Sequence, residues 1–305
     1  MASRILIDCD PGIDDGLALY AALGSHAIRL QAVTTVFGNV RVKQATRNVA
    51  RLLRLVPHAP VLRLAEGHDQ PLTGSRLPQR VVHGQDGLGD VGVPIVPSPH
   101  TRLDSTALMV ELLGAEALDQ IVALGPLTNL AHVYASAPRL LQRLRAIVVM
   151  AGVIAGRGGS SATEFNLASD PAAGRCLLRS QAPLRWVPMD VAASVVLTPE
   201  AIGRFRATHP RHALAGTIAA LLCAIGRARG MAGAVVPDAV ALMLAIEPDL
   251  GVWRQRRLAL AGRTRSGRLS VETGVPNAQV CEAVREAQVA ERLWALWSKL
   301  VRAGG

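Results

Sequence analysis

Cysteine, lysine and long apolar runs are scarce in this chain of 305 residues. The four cysteines are far apart in the sequence: Cys9, Cys176, Cys223 and Cys281. This spacing excludes a thiolate metal motif and a compact disulfide framework. No apolar run reaches the roughly 18 residues that a membrane-spanning helix needs. Because the first predicted strand begins at Arg4, no signal peptide is expected either. We therefore expect a reduced, cytoplasmic protein with no membrane partner.

Aromatic residues make up only 3% of the chain, so the stacking platforms that many nucleic-acid sites use are few. Arginine supplies nearly all of the net charge of +10, since the only lysines are Lys43 and Lys299. A basic patch is conceivable only at 254–268, where Gly262 and Gly267 favour a solvated hairpin. The charge therefore does not predict a nucleic-acid partner, and a small-molecule partner is expected.

Half of the residues are hydrophobic, and short apolar runs alternate with helical stretches from the start of the chain. Predicted strands cover 5–7, 30–36, 121–124, 147–150 and 184–187. Predicted helices cover 17–23, 40–55, 103–114, 126–136, 170–180, 212–228 and 238–246. This alternation predicts an α/β fold, a Rossmann-like open sheet that is mostly parallel and carries helices on both faces.

The rest of the chain has a different character. Residues 66–100 are dense in Gly, Pro and His, which predicts a long functional loop. Residues 252–280 predict a small antiparallel C-terminal extension, followed by a helix through Trp297. Since no linker or repeat interrupts the pattern, a single domain over residues 1–305 is expected.

Four carboxylates follow the first predicted strand within eight residues: Asp8, Asp10, Asp14 and Asp15. In open α/β sheets, ligands bind beyond the carboxyl ends of the strands. Asp8 and Asp10, two residues apart, are expected to share a face, while Asp14 or Asp15 can cap the next helix. Capping does not explain four acids, because like charges at a few ångströms repel by on the order of 1–4 kcal/mol per pair. Oxygen ligands suit Ca²⁺ or Mg²⁺, so the four acids predict a metal site at the end of the first strand.

The segment DCDPGIDDGLAL at 8–19 closely resembles the N-terminal motif of the inosine–uridine-preferring nucleoside hydrolase family. Six further blocks resemble the family in order and spacing: VTTVFGNV (33–40), HGQDGLG (83–89), ALGPLTNLA (123–131), VVMAG (148–152), EFNLASDPAA (164–173) and PDAVALMLAIEP (237–248). The resemblance implies hydrolysis of the N-glycosidic bond of ribonucleosides or related ribosides, releasing ribose and a base. It also implies a homodimer or homotetramer.

The resemblance further implies one Ca²⁺ at the bottom of the pocket. Its ligands by match to the motifs are Asp10, Asp15, the carbonyl oxygen of Leu124 and Asp238. Asp10 matches the catalytic base that takes a proton from the attacking water. Metal binding lowers the pKa of water by many units, which lets a carboxylate act as that base near neutral pH.

The substrate-binding residues implied by the resemblance are Asp14, Asn39, His83, Met150, Glu164 and Asn166. Asp14, Asn39, Glu164 and Asn166 match residues that hold the ribose hydroxyls, and Met150 matches a position that lines the sugar. His83 lies in a loop that closes over the substrate in relatives. From the residues alone, Asn39 is equally explained as a turn residue and Asn166 as a helix cap.

The chain departs from the family where the leaving base is expected. The residue before Asp238 is usually His or Trp in the family, but here it is Pro237, which can neither donate a proton nor stack like an indole. A tyrosine common upstream is absent, and Arg227 and Arg229 occur in that region. Glycine also occurs in the loop 155–163, where relatives often have an asparagine that contacts the 5′-hydroxyl.

Three explanations of these departures stay open. Another group, His83 or an arginine, can assist the base. The substrate can carry a leaving group that needs no assistance, or the chain can be a ribose- or nucleoside-binding protein with little turnover. A phosphatase of the haloacid-dehalogenase type, with Asp8 as nucleophile, is disfavoured because Gly12 stands where that family has Thr or Val and because Lys43 lies in the wrong context.

Overall fold

The computed structural model describes residues 2–78, 81–97, 99, 101, 104–154, 163–261 and 266–303. Its strands are β1 (Ser3–Cys9), β2 (Ile28–Thr35), β3 (Arg63–Glu66), β4 (Gln120–Ala123), β5 (Ala146–Met150), β6 (Val153–Ile154), β7 (Leu184–Val187), β8 (Val196–Leu197), β9 (Ala234–Val235), β10 (Gly251–Leu260), β11 (Arg268–Glu272) and β12 (Ala278–Val284). All five strands predicted from apolar runs are present. The half-exposed strand β3 and the two-residue strands were not predicted.

The helices are α1 (Ile13–Gly24), α2 (Val42–Arg54), α3 (Ser105–Gly114), α4 (Thr128–Ser136), α5 (Pro138–Leu141), α6 (Phe165–Ser169), α7 (Pro171–Leu178), α8 (Met189–Ala192), α9 (Pro199–Thr208), α10 (Ala213–Ala228), α11 (Pro237–Ile246) and α12 (Glu286–Ala303). Short 3₁₀ turns cover Val81–His83 and Pro248–Leu250. The predicted helices agree with these bounds to within a few residues. Among the described helices, none has both the length and the apolar character needed to cross a membrane.

One ten-stranded sheet organises the described chain, in the order β3-β2-β1-β4-β5-β7-β12-β10-β11-β6. The seven strands from β3 to β12 pair in parallel. Strands β10 and β11 are antiparallel to their neighbours in the C-terminal part, which confirms the predicted fold class. The tail is more closely integrated than predicted, because β12 pairs in parallel with β7 and continues the main sheet.

Two apolar cores cover the two faces of this sheet. Ile5 and Ile7 of β1 belong to the core that α1, α10, α11 and α12 close, whereas Leu6 belongs to the core that α3, α4 and α7 close. Since alternate residues of a strand point to opposite faces, a strand buried on both sides is apolar throughout. The carboxyl ends of β1, β2, β4 and β5 lie together at one end of the sheet, outside the two cores.

Candidate active site

The first strand ends beside buried acids with different surroundings. Asp8 Oδ1 accepts hydrogen bonds from Thr34 Oγ1 at 2.7 Å and from Asn129 Nδ2 at 2.8 Å. Asp10 lies beyond the last residue of β1, and its Oδ2 accepts from the backbone N–H of Asn39 at 2.6 Å. Asp8 is therefore anchored to neighbouring elements by two side chains, while Asp10 is held at the end of the sheet by the turn after β2.

The start of α1 carries the next two acids. Asp15 Oδ2 accepts from the backbone N–H of Gly12 at 2.9 Å and from Asn39 Nδ2 at 3.3 Å, so Asp15 is in part the helix cap that the sequence allowed. A Cβ atom at Gly12 would lie 2.6 Å from Asn39 Nδ2 and from His83 Nδ1. The turn therefore needs glycine in order to pack against these two side chains.

The acids of this site are buried without enough hydrogen bonds to compensate. Five of their oxygens have no hydrogen-bond partner in the described part of the chain: Oδ2 of Asp8 and Oδ1 of Asp10, Asp14, Asp15 and Asp238. Burial first, and the charges of neighbouring acids second, raise the pKa of Asp10 and of Asp238 well above the ordinary value. The same two causes raise the pKa of Asp15 to about 7. Burying an ionised carboxylate without a partner costs free energy, and a bound cation would offset that cost. The site is therefore suited to bind positive charge.

The residues present fit a hard divalent cation. Ligand oxygens of Asp14, Asp15 and Asp238 lie within 4.8 Å of one another, and all three residues are buried. Asp238 comes from the first turn of α11, so α1 and α11 together bring these oxygens to one point. An all-oxygen donor set with unpaired buried oxygens is typical of Ca²⁺ and Mg²⁺ sites. The carboxylates of Asp14, Asp15 and Asp238 can therefore bind a metal ion. Asp10 is not within this group of three, but it is bonded to Asn39, as Asp15 is. We call these four residues the aspartate cluster.

A second group of predicted residues lies at the ends of β4 and β5. Asn166 Nδ2 donates to the carbonyl oxygens of Leu124 at 2.5 Å and Met150 at 3.1 Å. Glu164 caps α6, since its Oε1 accepts from the N–H of Asn166 and its Oε2 from the N–H of Leu167, each at 2.8 Å. Glu164 and Asn166 thus have structural hydrogen bonds besides any contact with a ligand.

One cavity joins most of the predicted residues with two that were not predicted, Phe165 and Met189, and with Arg229, one of the two arginines that the sequence places near the leaving base. Its lining consists of Asp14, Asn39, His83, Leu124, Met150, Glu164, Phe165, Asn166, Met189, Arg229 and Asp238. Met189 follows β7, a position that the rule on strand ends indicates, whereas Phe165 and Arg229 reach the cavity through tertiary packing. Asp10 and Asp15 are bonded to Asn39 at the same end of the sheet.

The sequence departs from the family around Pro237. The described residues of this region include no side chain that would ordinarily protonate a leaving base. Pro237 is the first residue of α11 and is buried, but it does not line the cavity. Arg229, just beyond α10, does line it, and its buried Nε has no hydrogen-bond partner among the described residues. Arg227 is exposed and lines a separate groove between α9 and α10. Residues 155–162 of the predicted glycine-containing loop lie outside the described residues.

Comparisons with known proteins agree with the motifs. The family model described as inosine-uridine preferring nucleoside hydrolase matches residues 5–291. The non-specific ribonucleoside hydrolase RihC of Escherichia coli is 35% identical over 255 residues, which are 82% of this chain and 81% of that protein.

Solved structures show the same fold. The purine-preferring ribonucleoside hydrolase from Gardnerella vaginalis superimposes with a TM-score of 0.89 at 24% identity, over 98% of this chain and 99% of that one. A protein described as inosine-guanosine nucleoside hydrolase superimposes with a TM-score of 0.88 at 26% identity, over the same shares of the two chains. The chain therefore belongs to the inosine–uridine preferring nucleoside hydrolase family, and is a hydrolase of N-glycosidic bonds.

Proposed function

We propose that this chain hydrolyses the N-glycosidic bond of ribonucleosides or related ribosides in a Ca²⁺-dependent reaction that releases ribose and a base. The observation that carries the proposal is the aspartate cluster, whose unpaired oxygens lie beside a cavity lined by Asn39, Glu164 and Asn166. Two of the relatives are a ribonucleoside hydrolase and an inosine-guanosine nucleoside hydrolase, which supports this class of substrate.

Asp10, Asp15, Asp238 and the carbonyl oxygen of Leu124 are the ligands that we propose for the ion. The carbonyl oxygen of Leu124 accepts a hydrogen bond from Asn166 but has a second lone pair for a cation. When bound, Ca²⁺ supplies charge that favours ionised carboxylates and lowers the pKa of a coordinated water. Asp10 then serves as the base that accepts the water's proton. The bond from the Asn39 backbone to Oδ2 fixes its carboxylate and leaves Oδ1 for this role.

The polar side chains around the cavity suit a ribose ring. We propose that Asp14, Asn39, Glu164 and Asn166 hold the hydroxyls and that Met150 packs against the sugar. Departure of the base leaves positive charge on the ring, and nearby carboxylates stabilise that charge. Holding the hydroxyls fixes the ring in a geometry that favours this departure.

Two residues of the cavity are available to the leaving base. His83 is 5% exposed, so it is positioned by the fold. Arg229 carries a permanent charge and cannot transfer a proton at neutral pH, but it can stabilise a base that departs as an anion. The alternative is a ribose- or nucleoside-binding protein with little turnover, which Pro237 favours because it offers no proton donor.

The experiment combines metal content with turnover. Protein prepared in Ca²⁺ is analysed for bound metal and then assayed for release of free ribose from inosine, uridine, adenosine and p-nitrophenyl riboside. We expect one Ca²⁺ per chain, release of ribose, and loss of both in Asp10→Asn. Full activity in metal-free protein would contradict the Ca²⁺ assignment. Tight Ca²⁺ and ribose binding with no cleavage of any riboside would favour the binding protein.

We also propose that residues 1–305 form one domain, which assembles as a homodimer or homotetramer in the cytoplasm. None of the four cysteines, all in the described part of the chain, forms a disulfide bond, which suits a reducing compartment. Equilibrium unfolding should show one cooperative transition, and sedimentation should give two or four chains per particle. Two separate unfolding transitions, or a monomer at micromolar concentration, would contradict the corresponding part.

A further inference from the structure

A second cavity lies at the opposite edge of the sheet from the aspartate cluster. Its volume is about 410 Å³, and its lining includes Arg145, Arg179 and Arg185. Arg145 immediately precedes β5, and β5 ends at Met150 in the active-site cavity. A strand of five residues spans roughly 16 Å, so the two cavities are separate sites. We call the second one the arginine cavity.

The guanidinium groups of the arginine cavity lack the carboxylate partners found elsewhere. In the part of the chain that the structure describes, no ion pair within 4.0 Å involves Arg145, Arg179 or Arg185, and no Asp or Glu lines the cavity. By contrast, Arg4 and Arg256 each lie 2.7 Å from a carboxylate oxygen. An arginine-rich composition explains how many arginines there are, but not why three line one cavity from which acids are missing.

Arg185 is held in place by neutral groups, and Asp249 acts on its charge from beyond ion-pair distance. Its Nε donates to Oε1 of Gln279 at 3.2 Å, and its Cζ lies 5.8 Å from the centre of the Trp253 ring. No described residue accepts a hydrogen bond from its two terminal amino groups. Burial, and then the charge of Arg145, lower the pKa of the Arg185 guanidinium. A bound anion would relieve the repulsion between these two cations.

The wall of the cavity is firmly built. Asn277 Oδ1 accepts from the N–H of Leu258 at 2.8 Å, and Asn277 Nδ2 donates to the carbonyl oxygens of Leu258 at 2.9 Å and Leu178 at 3.1 Å. These bonds join the chain before β12 to β10 and to the end of α7. The arginines therefore surround a cavity whose wall is held together by hydrogen bonds.

We propose that the arginine cavity binds a small molecule that carries a phosphate group. The planar fork of arginine donors matches phosphate oxygens in pairs, and several arginines around one cavity supply the charge of a dianion. The volume falls within the roughly 300–1,000 Å³ of small-molecule sites and exceeds the needs of a phosphate ion alone. A phosphate ester is therefore the expected ligand.

Calorimetric titration with glycerol 3-phosphate, against glycerol as the neutral match, tests the proposal on the whole chain at constant ionic strength. Both probes are titrated with and without saturating free ribose, because their vicinal hydroxyls are groups that the active-site cavity is proposed to hold. We expect saturable binding of glycerol 3-phosphate and none of glycerol. Arg145→Gln and Arg179→Gln, both at exposed positions, should weaken binding by at least about tenfold.

The matched control is Arg211→Gln, an exposed arginine outside the cavity, which should bind like the wild type. Saturating free ribose should leave the titration unchanged. Displacement of the phosphate ester by ribose would show that the ester binds in the active-site cavity, and would overturn the proposal. Absence of saturable binding, or equal binding in all three variants, would overturn it as well.

Discussion

The backbone N–H of Ile13 donates a hydrogen bond to Nδ1 of His83 at 3.1 Å, which joins the start of α1 to the loop 70 residues later. Because Nδ1 accepts, the proton of the neutral imidazole ring lies on Nε2. Asp14 Oδ1 lies 3.9 Å from the same Nδ1, so the ring lies beside this member of the aspartate cluster. The fold therefore fixes both the tautomer and the position of His83 in the cavity.

We predict that two substitutions of His83 distinguish its acceptance of the Ile13 N–H from its donation of a hydrogen bond through Nε2–H. Asn at position 83 can keep an acceptor for the Ile13 N–H but has no group in place of Nε2–H, whereas Ala loses both. Each variant should lower kcat/KM for inosine by about three- to tenfold, since a hydrogen bond from Nε2–H to the leaving base contributes about 0.5–1.5 kcal/mol without transfer of the proton. His83→Ala should also lower the free energy of unfolding by about 1 kcal/mol, the cost of one lost hydrogen bond. Wild-type kinetics in His83→Asn would show that Nε2–H is not used.

Removal of single acids should abolish metal binding. Asp10→Asn and Asp15→Asn should each lose Ca²⁺, measured by calorimetry, and reduce ribose release by at least about a thousandfold, because both the ion and the base depend on them. The matched control is Asp8→Asn, because Asp8 is bonded to Thr34 and Asn129 and is not a proposed ligand. It should retain Ca²⁺ binding. Stoichiometric Ca²⁺ in Asp10→Asn would remove Asp10 from the ligand set.

The metal-free protein should lose stability as the pH rises. Burial raises the pKa of Asp8 and of Asp15 to about 7, compared with 3.8 in an exposed chain. Between these values the folded protein holds more protons than the unfolded chain, so the free energy of unfolding falls as the pH increases. In EDTA, Tm should therefore be lower at pH 8 than at pH 5, and Ca²⁺ should reduce the difference because it favours ionised Asp15. A higher Tm at pH 8 in EDTA would contradict the burial of uncompensated acids.

The sequence predicted the fold well because its strands are buried on both faces and read as apolar runs. It missed β3, whose residues are half-exposed and lack such a run. It also missed α9, although Thr198 followed by Pro199 is a recognisable helix start, and Thr198 Oγ1 accepts from the N–H of Ala201.

Site residues on strand ends and motifs were predictable, whereas those placed by tertiary packing were not. Glu164 was predicted from its motif, but its role as the cap of α6 was not, because a helix of five residues is too short to show a period. Arg229 lines the cavity while Arg227, two residues earlier, is exposed in another groove. Which of the two arginines reaches the cavity depends on the direction of the chain at the end of α10. That direction depends on packing against elements distant in the sequence.

The polar lining of the cavity should discriminate against 2′-deoxyribosides. A site built to pair with a hydroxyl leaves buried groups unpaired when it is missing, which costs about 1–3 kcal/mol, or roughly ten- to a hundredfold in kcat/KM. Uridine and 2′-deoxyuridine form a matched pair with the same leaving base. Free ribose should likewise inhibit better than 2-deoxyribose. Equal kcat/KM for the two nucleosides would assign Asn39, Glu164 and Asn166 to structural roles alone.

Arg229 should act on the leaving base through charge and not through proton transfer. Its buried Nε has no described partner, and Pro237 offers no donor, so the permanent cation is placed to stabilise a base that departs as an anion. Wild-type protein should cleave p-nitrophenyl riboside far faster than inosine or uridine. Its leaving group departs without protonation, whereas the poorer leaving groups of inosine and uridine receive little acid catalysis from this site.

Arg229→Gln should then lower the rate with inosine and uridine by about ten- to a hundredfold, since hydrogen bonds to charged groups contribute about 1.5–3 kcal/mol. The rate with nicotinamide riboside should stay or rise, because that base departs neutral from a cationic substrate that Arg229 repels. Arg227→Gln is the matched control, and it should leave every rate unchanged because Arg227 does not line the cavity. An equal loss for all three ribosides in Arg229→Gln would indicate a structural role. Comparable wild-type rates on inosine and p-nitrophenyl riboside would indicate a proton donor, and His83 Nε2–H is the group positioned to supply it.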